Sequence, residues 1–346
     1  MTRALLTALL LATTGTATPS APQPPVVVFA EDFENSEGPG LLTAYTGVAH
    51  RKYTADPEWL TACNGLLASQ RHSAVDPTGG QCNSRWPEVQ RLAGALGDPA
   101  ANHALTAHTE SDPGAGKVQF ETVAPVVLPR PGRFVTWSVD AAGQNCGASH
   151  AMLEFHFLNG STAVSARTPP VDPCGDAVDG VHVGTYSSDR PVLFPGAELG
   201  VRLVNLQGSG VGNDAAVDNI RVLDVTPQLS LAYGPAEVAV GTTATLSFTV
   251  TNTADLAAKD GWSFFGRLPA GVTVAGQAVS DCPAASVTAL SGATAVSAEA
   301  SLAGGQVSCA VTVPVAAAVA GTYTTCAADI APIGLNPPGC ASVRFV

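Results

Sequence analysis

Alternation of apolar and polar positions dominates the first two thirds of the chain. Residues 26–34 open with the β-branched run Val26-Val27-Val28 and read as a strand, with Phe29 and Phe33 on one face and Asp32 and Glu34 on the other. Further strands are predicted at 117–123, 133–140, 151–157, 181–186 and 197–205. In the second of these Val135, Trp137 and Val139 alternate with Phe134, Thr136 and Ser138. In the third, Met152, Glu154 and His156 alternate with Leu153, Phe155 and Phe157. Runs of this length between Pro/Gly turns favour an antiparallel sandwich. The glycine-rich loop Gly208-Ser209-Gly210-Val211-Gly212 leads into a last strand where Ala216, Asp218, Ile220 and Val222 share one parity. That parity puts a carboxylate, Asp218, at the mouth of the core-facing side, where it needs an arginine, backbone N–H donors or a metal ion.

Helical spacing is confined to a region between the end strands. Asp56-Pro57 has the form of a cap followed by proline at the first helical position. From Trp86 onward, Val89, Leu92 and Leu96 fall on one helical face, with Gly97 as the stop. Val225-Thr226-Pro227-Gln228 reads as a linker, after which strands are predicted at 229–233, 237–241 and 243–252. Leu246, Phe248 and Val250 mark the buried face of the third. The Ala/Ser/Thr-rich stretch 284–303 is expected to form exposed strands and loops.

With 346 residues the chain can bury two cores. Residues 1–17 have the form of a secretory signal: Arg3, an apolar run from Ala4 to Ala12, then Gly15 and Ala17 before the cleavage position. The run is too short to span a bilayer, and nothing later resembles a membrane segment. Cysteine usage agrees with export. Cys63, Cys82, Cys146 and Cys174 precede the linker; Cys282, Cys309, Cys326 and Cys340 follow it. Pairing within each half leaves nine of the 105 possible connectivities. Sequential pairing closes the shortest loops and is the one expected: Cys63–Cys82, Cys146–Cys174, Cys282–Cys309 and Cys326–Cys340. No CxxC or finger spacing supports zinc.

Net charge is −12, with thirteen basic against twenty-two acidic residues before residue 225 and three against six after it. Neither half has the basic patch that a phosphate backbone or anionic membrane requires. Three lysines against thirteen arginines, with abundant Ala, Gly, Val and Pro, fit a GC-rich bacterial origin.

The opening Glu31-Asp32-Phe33-Glu34 and the closing 213–222 stretch, Asn-Asp-Ala-Ala-Val-Asp-Asn-Ile-Arg-Val, resemble the frame of bacterial jelly-roll modules, similar to galactose-binding-like and carbohydrate-binding sandwiches. That resemblance implies end strands lying side by side and a structural calcium ion held by Asp32, Glu34, Asp214 and Asp218, completed by Asn213 and carbonyls near Gly212. A backbone cap on Asp218, or its pairing with Arg221 or Arg202, is the alternative. The stretch 53–60, Cys63-Asn64-Gly65 and Asn102-His103-Ala104 resemble the amino-terminal module of secreted actinobacterial surface proteins. After the linker, 243–252, Leu268-Pro269-Ala270-Gly271-Val272 and Gly321-Thr322-Tyr323-Thr324 resemble the Ig-like conserved-repeat family of bacterial surface proteins. That likeness implies a spacer or stalk, here in one copy and without a following sorting motif.

All seven histidines lie before the linker. Glu154 and His156 point the same way on a strand, as a metal pair, an acid/base couple or two solvated residues would. HExxH, GxSxG and phosphate-cradling motifs are missing, and no recognisable third group orients a Ser149–His150 pair. Glu121 and Glu154 are the strand-borne carboxylates for glycoside hydrolysis, without the spaced pattern of sandwich glycosidases. Trp59, Trp86 and Trp137 serve either a sugar-stacking platform or the core, and the core is favoured. The sequence therefore predicts an all-β protein: a jelly-roll-like β-sandwich over 25–224 with a short helical insertion, then an Ig-like β-sandwich over 228–346. Its expected role is that of a non-catalytic protein, secreted or on the cell surface, with a binding module followed by a spacer. The alternative is a carbohydrate-binding module or a component of a carbohydrate-active enzyme. Expected partners are cell-wall or extracellular saccharide or protein, not nucleic acid.

Overall fold

The computed structural model describes residues 21–36, 38–60, 63–70, 82, 85–99, 101–109, 112–166, 169–175 and 180–346. The expected signal, 1–17, lies outside the described residues. The chain divides into two compact units, one of residues 24–226 and one of 227–346 together with residues 21–23.

In the first unit the strands are β1 (Val26–Glu31), β2 (Gly40–Leu41), β3 (Tyr53–Thr54), β4 (Cys63–Ala68), β5 (Ala104–His108), β6 (Lys117–Thr122) and β7 (Val126–Val127). They continue as β8 (Arg133–Gln144), β9 (Leu153–Asn159), β10 (Thr162–Ser165), β11 (Val181–Ser187), β12 (Val192–Phe194), β13 (Glu198–Asn205) and β14 (Asp214–Asp224), with helix α1 (Trp86–Ala95) between β4 and β5. Among the described residues the larger sheet runs β11-β8-β14-β5-β4-β2, with β1 also on β14 and β12 on β8. The smaller runs β10-β9-β13-β6-β3, with β7 on β13. Between the sheets, Phe29, Trp137, Ile220 and Val222 meet Phe120, Phe155, Phe157 and Leu203. Trp137 stacks on Phe155 with ring centroids 4.3 Å apart. Each such side chain contributes about 1.5–3 kcal/mol by leaving water.

The other face of the larger sheet is covered by α1. Trp86, Val89 and Leu92 pack on Leu66, Ala68, Ala104, Ala142 and Ala216, small side chains that let the helix approach closely. Strands β4 and β5 are thus buried on both faces, which erases the alternation that would have marked them in the sequence. The helix runs to Ala95 with Leu96 as its C-cap, just before the stop predicted at Gly97. Gly97 is required by space: a Cβ there would run into the Asn102 side chain. At Asp56 the cap forms without a helix. Trp59 and Leu60 both donate to the Asp56 carbonyl, and Glu58 N–H donates to Asp56 Oδ1.

Strand β14 is the spine of the larger sheet. On one side it pairs with β8; on the other it pairs first with β5 (Asp214 to Val217) and then with β1 (Ile220 to Asp224). The opening and closing strands therefore lie side by side. Between Asp218 and Arg221 the register against β8 slips by one residue, and Asn219 takes a left-handed φ of 49°. This bulge overturns the simple parity expected for 216–222. Ala216 lies with the helix-side cluster, whereas Ile220 and Val222 enter the sandwich core.

The second unit is also a β-sandwich. Gln228–Gly234, Ala244–Thr251, Ser308–Ala317 and Val272–Val274 are neighbours in one sheet; Ser286–Thr288, Ala295–Leu302, Lys259–Arg267 and Ile330–Ile333 are neighbours in another. Leu246, Phe248 and Val250 are buried as their spacing predicts, and Phe248 stacks on Phe264. The 284–303 stretch is less exposed than expected, because Val296, Ala298, Ala300 and Leu302 alternate into the core. Lys259 is fully buried, its ammonium held by both Asp255 oxygens (3.1 and 3.2 Å) and the Ala257 carbonyl (3.1 Å). The four disulfides are the sequential ones, Cys63–Cys82, Cys146–Cys174, Cys282–Cys309 and Cys326–Cys340. Among the described residues no helix is long and apolar enough to cross a membrane.

Candidate functional site

Polar groups gather where α1 overhangs the strand ends of the larger sheet. Arg85, Glu88 and Arg91 recur at three-residue intervals, so one stripe of the helix start carries all three. Beneath it, β5 ends at His108, β8 ends at Gln144, and β14 begins at Asp214 after the Gly208–Gly212 loop. Asp214 stands opposite His108 on one side and Gln144 on the other. His108 is nearly inaccessible and lies between two carboxylates. Its Nε2 is 2.6 Å from Glu88 Oε2, and its Nδ1 lies 3.5 Å from Asp214 Oδ1 without a hydrogen-bond partner. Asp214 is fixed independently by the Thr109 N–H (3.0 Å) and the Asn145 amide (2.7 Å).

Electrostatics separate the two acids. Burial would raise the Glu88 carboxyl, but the His108 hydrogen bond and charge, helped by Arg85 and Arg91, hold it below the usual carboxylate range. Burial dominates at Asp214 and pushes it up, against the His108 charge and the Asn145 and Thr109 hydrogen bonds. A cleft of about 320 Å³ opens here, lined by Arg85, Glu88, His108, Asn145, Asp214 and the glycines of the preceding loop.

The four carboxylates expected to share calcium do not converge. Asp32 caps its own turn by accepting the Glu34 N–H at 3.2 Å. Glu34 reaches across to His103, accepting its backbone N–H (2.8 Å) and meeting Nδ1 at 2.9 Å. Asp214 belongs to the cluster around His108. Asp218 is buried at the bulge beside its cross-strand partner Asp140, with Oδ1 accepting the Asn219 N–H and Oδ2 without a hydrogen-bond partner. Burial, with Glu34 and Asp140 adding repulsion, raises Asp218 to about 7. Among the described residues no three of the four bring ligand atoms within 4.8 Å of one another. The physical reason is that donors of the protein already hold Asp32, Glu34 and Asp214. The three-residue group with that spacing, Asp281, Cys282 and Cys309, contains a closed disulfide.

Other expected groups fall elsewhere. Glu154 and His156 do pair, at 3.2 Å, on the smaller sheet. Glu121 is tied to Arg202 at 2.6 Å on the same sheet. His150 has Asp172 at one nitrogen (3.1 Å) and the Gly147 carbonyl at the other (2.9 Å), so Asp172 is the third group that the sequence did not disclose, and neither nitrogen faces Ser149. Trp59, Trp86 and Trp137 are each 1% exposed or less and build no stacking platform. The sequence also concealed Glu31, which shares the parity of Phe29 and Phe33 and is buried with them. Its carboxylate accepts the Tyr45 hydroxyl and the Phe33 N–H, both at 2.8 Å, and the Tyr53 hydroxyl. Burial and this carboxylate push both tyrosine hydroxyls well above their usual range.

Residues 227–339 match the family described as "Domain of unknown function (DUF7933)". No curated protein matches the chain. Among solved structures, the type II cohesin dyad from the adaptor ScaA scaffoldin of Acetivibrio cellulolyticus is similar at 10% identity, covering 67% of this chain and 96% of that one, with a TM-score of 0.24. Red sea bream transglutaminase is similar at 12% identity, covering 70% of this chain and 30% of that one, with a TM-score of 0.20. Similarities this faint carry no inference about activity.

Proposed function

We propose that the chain is a non-catalytic exported protein whose first unit binds a small polar ligand at the helix-side rim and whose second unit is a spacer. The observation that carries this reading is the cleft lined by Arg85, Glu88, His108, Asn145 and Asp214, where charged side chains converge on open space. Four disulfides support an oxidising compartment, secreted or cell-surface. The spacer reading is supported by the lack of histidine after the linker and by only nine charged side chains from residue 225 onward. Retention of the secreted protein on peptidoglycan, chitin or cellulose tests it. Retention that falls in Glu88→Gln supports the rim as the binding surface; retention unchanged by that substitution overturns it.

A component of a carbohydrate-active enzyme is the second reading, favoured by the two carboxylates and imidazole in one cleft. Turnover of a chromogenic glycoside, lost in both Glu88→Gln and Asp214→Asn, would replace the first reading with this one.

A further inference from the structure

Next to the first cleft, with Asn145 as a shared wall, lies a second of about 380 Å³. Arg91, Gln144 and His182 line it, and no carboxylate does so among the described residues. In a chain of net charge −12 that is a departure from the prevailing surface. Gln144 is 1% exposed, and its Oε1 accepts Arg91 Nε at 2.9 Å. That bond fixes which way the amide points. Its Nε2 then has no acceptor, and the buried Nε2 of His182 has no hydrogen-bond partner. An orphaned buried donor costs about 1–3 kcal/mol, which an incoming acceptor removes. With Nε engaged, Arg91 keeps its two terminal nitrogens, the pair that meets a planar carboxylate in bidentate fashion. The volume exceeds what a bare ion fills and falls in the range of small-molecule sites. Across Asn145, Glu88 and Asp214 supply acceptors suited to hydroxyl donors.

We infer that the Arg91–Gln144–His182 cleft receives the carboxylate of a small polyhydroxylated acid of the uronic-acid kind, its hydroxyls directed toward Glu88 and Asp214. This rests on the reading that the first unit binds a polar ligand at this rim, and it names the class of that ligand. The test is calorimetric titration of the full chain with D-glucuronate, D-glucose, acetate and sulfate, repeated for Arg91→Gln, a change at an exposed position. Glucuronate should bind at least tenfold more tightly than glucose or acetate, and Arg91→Gln should weaken it at least tenfold at a temperature where thermal unfolding shows the variant still folded. Glucose binding as tightly as glucuronate, or indifference to Arg91→Gln, overturns the carboxylate assignment. Sulfate binding more tightly than glucuronate overturns the organic acid in favour of an inorganic oxyanion. If none of the four probes binds while retention on saccharide remains sensitive to Glu88→Gln, this inference fails and the binding function stands. If retention is absent as well, both fail.

Discussion

Replacing Glu31 by alanine removes the acceptor that three buried donors share. In the native structure the Tyr45 hydroxyl and the Phe33 N–H each sit 2.8 Å from Oε1, and the Tyr53 hydroxyl holds Oε2. Glu31 itself is 1% exposed, so water does not substitute for it without entering the core. A hydrogen bond to a charged group contributes about 1.5–3 kcal/mol, and an orphaned buried donor costs about 1–3 kcal/mol. Three donors therefore put the expected loss near 4 kcal/mol, allowing for hydroxyls that turn toward one another. For a unit of this size that is a fall of roughly 8–16 °C in melting temperature. Urea unfolding of the full chain, followed by tryptophan fluorescence, resolves which unit responds. Trp59, Trp86 and Trp137 report on the first unit and Trp262 on the second. A double-mutant cycle with Tyr53→Phe should show coupling of at least about 1 kcal/mol. Loss of less than about 1 kcal/mol in Glu31→Ala, or strict additivity with Tyr53→Phe, would refute the claim that this carboxylate fastens the 42–53 loop to β1.

Gly47→Ala should act through the same carboxylate, because a Cβ there falls on Glu31 Oε2 although the backbone φ of −81° suits alanine; thermal unfolding should show a loss of about 2–4 kcal/mol, and a neutral result would mean the loop yields. Asp218 titrates near 7 when folded and near 3.9 when unfolded, so the folded state binds the extra proton between these values. Its contribution to stability is full below about pH 4 and is lost as pH rises through 7; urea midpoints should therefore rise from pH 7.5 to 5, and Asp218→Asn should flatten that rise. Opening Cys146–Cys174, which closes a loop of 28 residues, should cost about 3–4 kcal/mol in the chain-entropy account, read as a lower urea midpoint of the Cys146→Ser/Cys174→Ser variant. Chelation by EDTA should leave the first unit's melting temperature unchanged, since Asp32, Glu34, Asp214 and Asp218 accept from different donors; a fall of several degrees reversed by calcium would mean they regroup around an ion.

Where one face of a strand met the core and the other met solvent, the sequence disclosed it. β6, β8, β9, β11 and β13 all begin within two residues of their predicted starts, and the helix from Trp86 shows the apolar face its spacing predicts. β4 and β5 were illegible for the opposite reason: with helix on one side and core on the other, Leu66 and Leu67 are both buried and no alternation survives. The rim was legible only in part. Asp214 and Asp218 stood out as acids near a buried strand, but they lie apart along it, Asp214 opposite His108 and Asp218 opposite Asp140. Glu88 and Arg91 lie off the apolar Val89, Leu92 and Leu96 face that marks the helix in the sequence. Nothing in linear spacing says that they overhang His108 and Gln144, which lie 20 and 53 residues away. Glu31 could have been found, since its parity with Phe29 and Phe33 was visible.

The extra residue at Asn219 lets one strand obey two sets of instructions. Upstream, even-numbered side chains answer to the helix layer and stay small or polar, as Asp214, Ala216 and Asp218 do. Downstream, even-numbered side chains answer to the aromatic interior, as Ile220 and Val222 do. What must be kept at this point is the left-handed turn at 219, which absorbs one residue more than β8 opposes. A substitution at 219 must accept that backbone and also gives up the hydrogen bond that the Asn219 amide donates to Asp140 Oδ2 at 3.0 Å. Deleting that single position would close the bulge and leave Ile220 and Val222 on the face of Ala215 and Val217, whereas straightening the strand with the residue kept would turn its second half over and bring Arg221 and Leu223 to the interior.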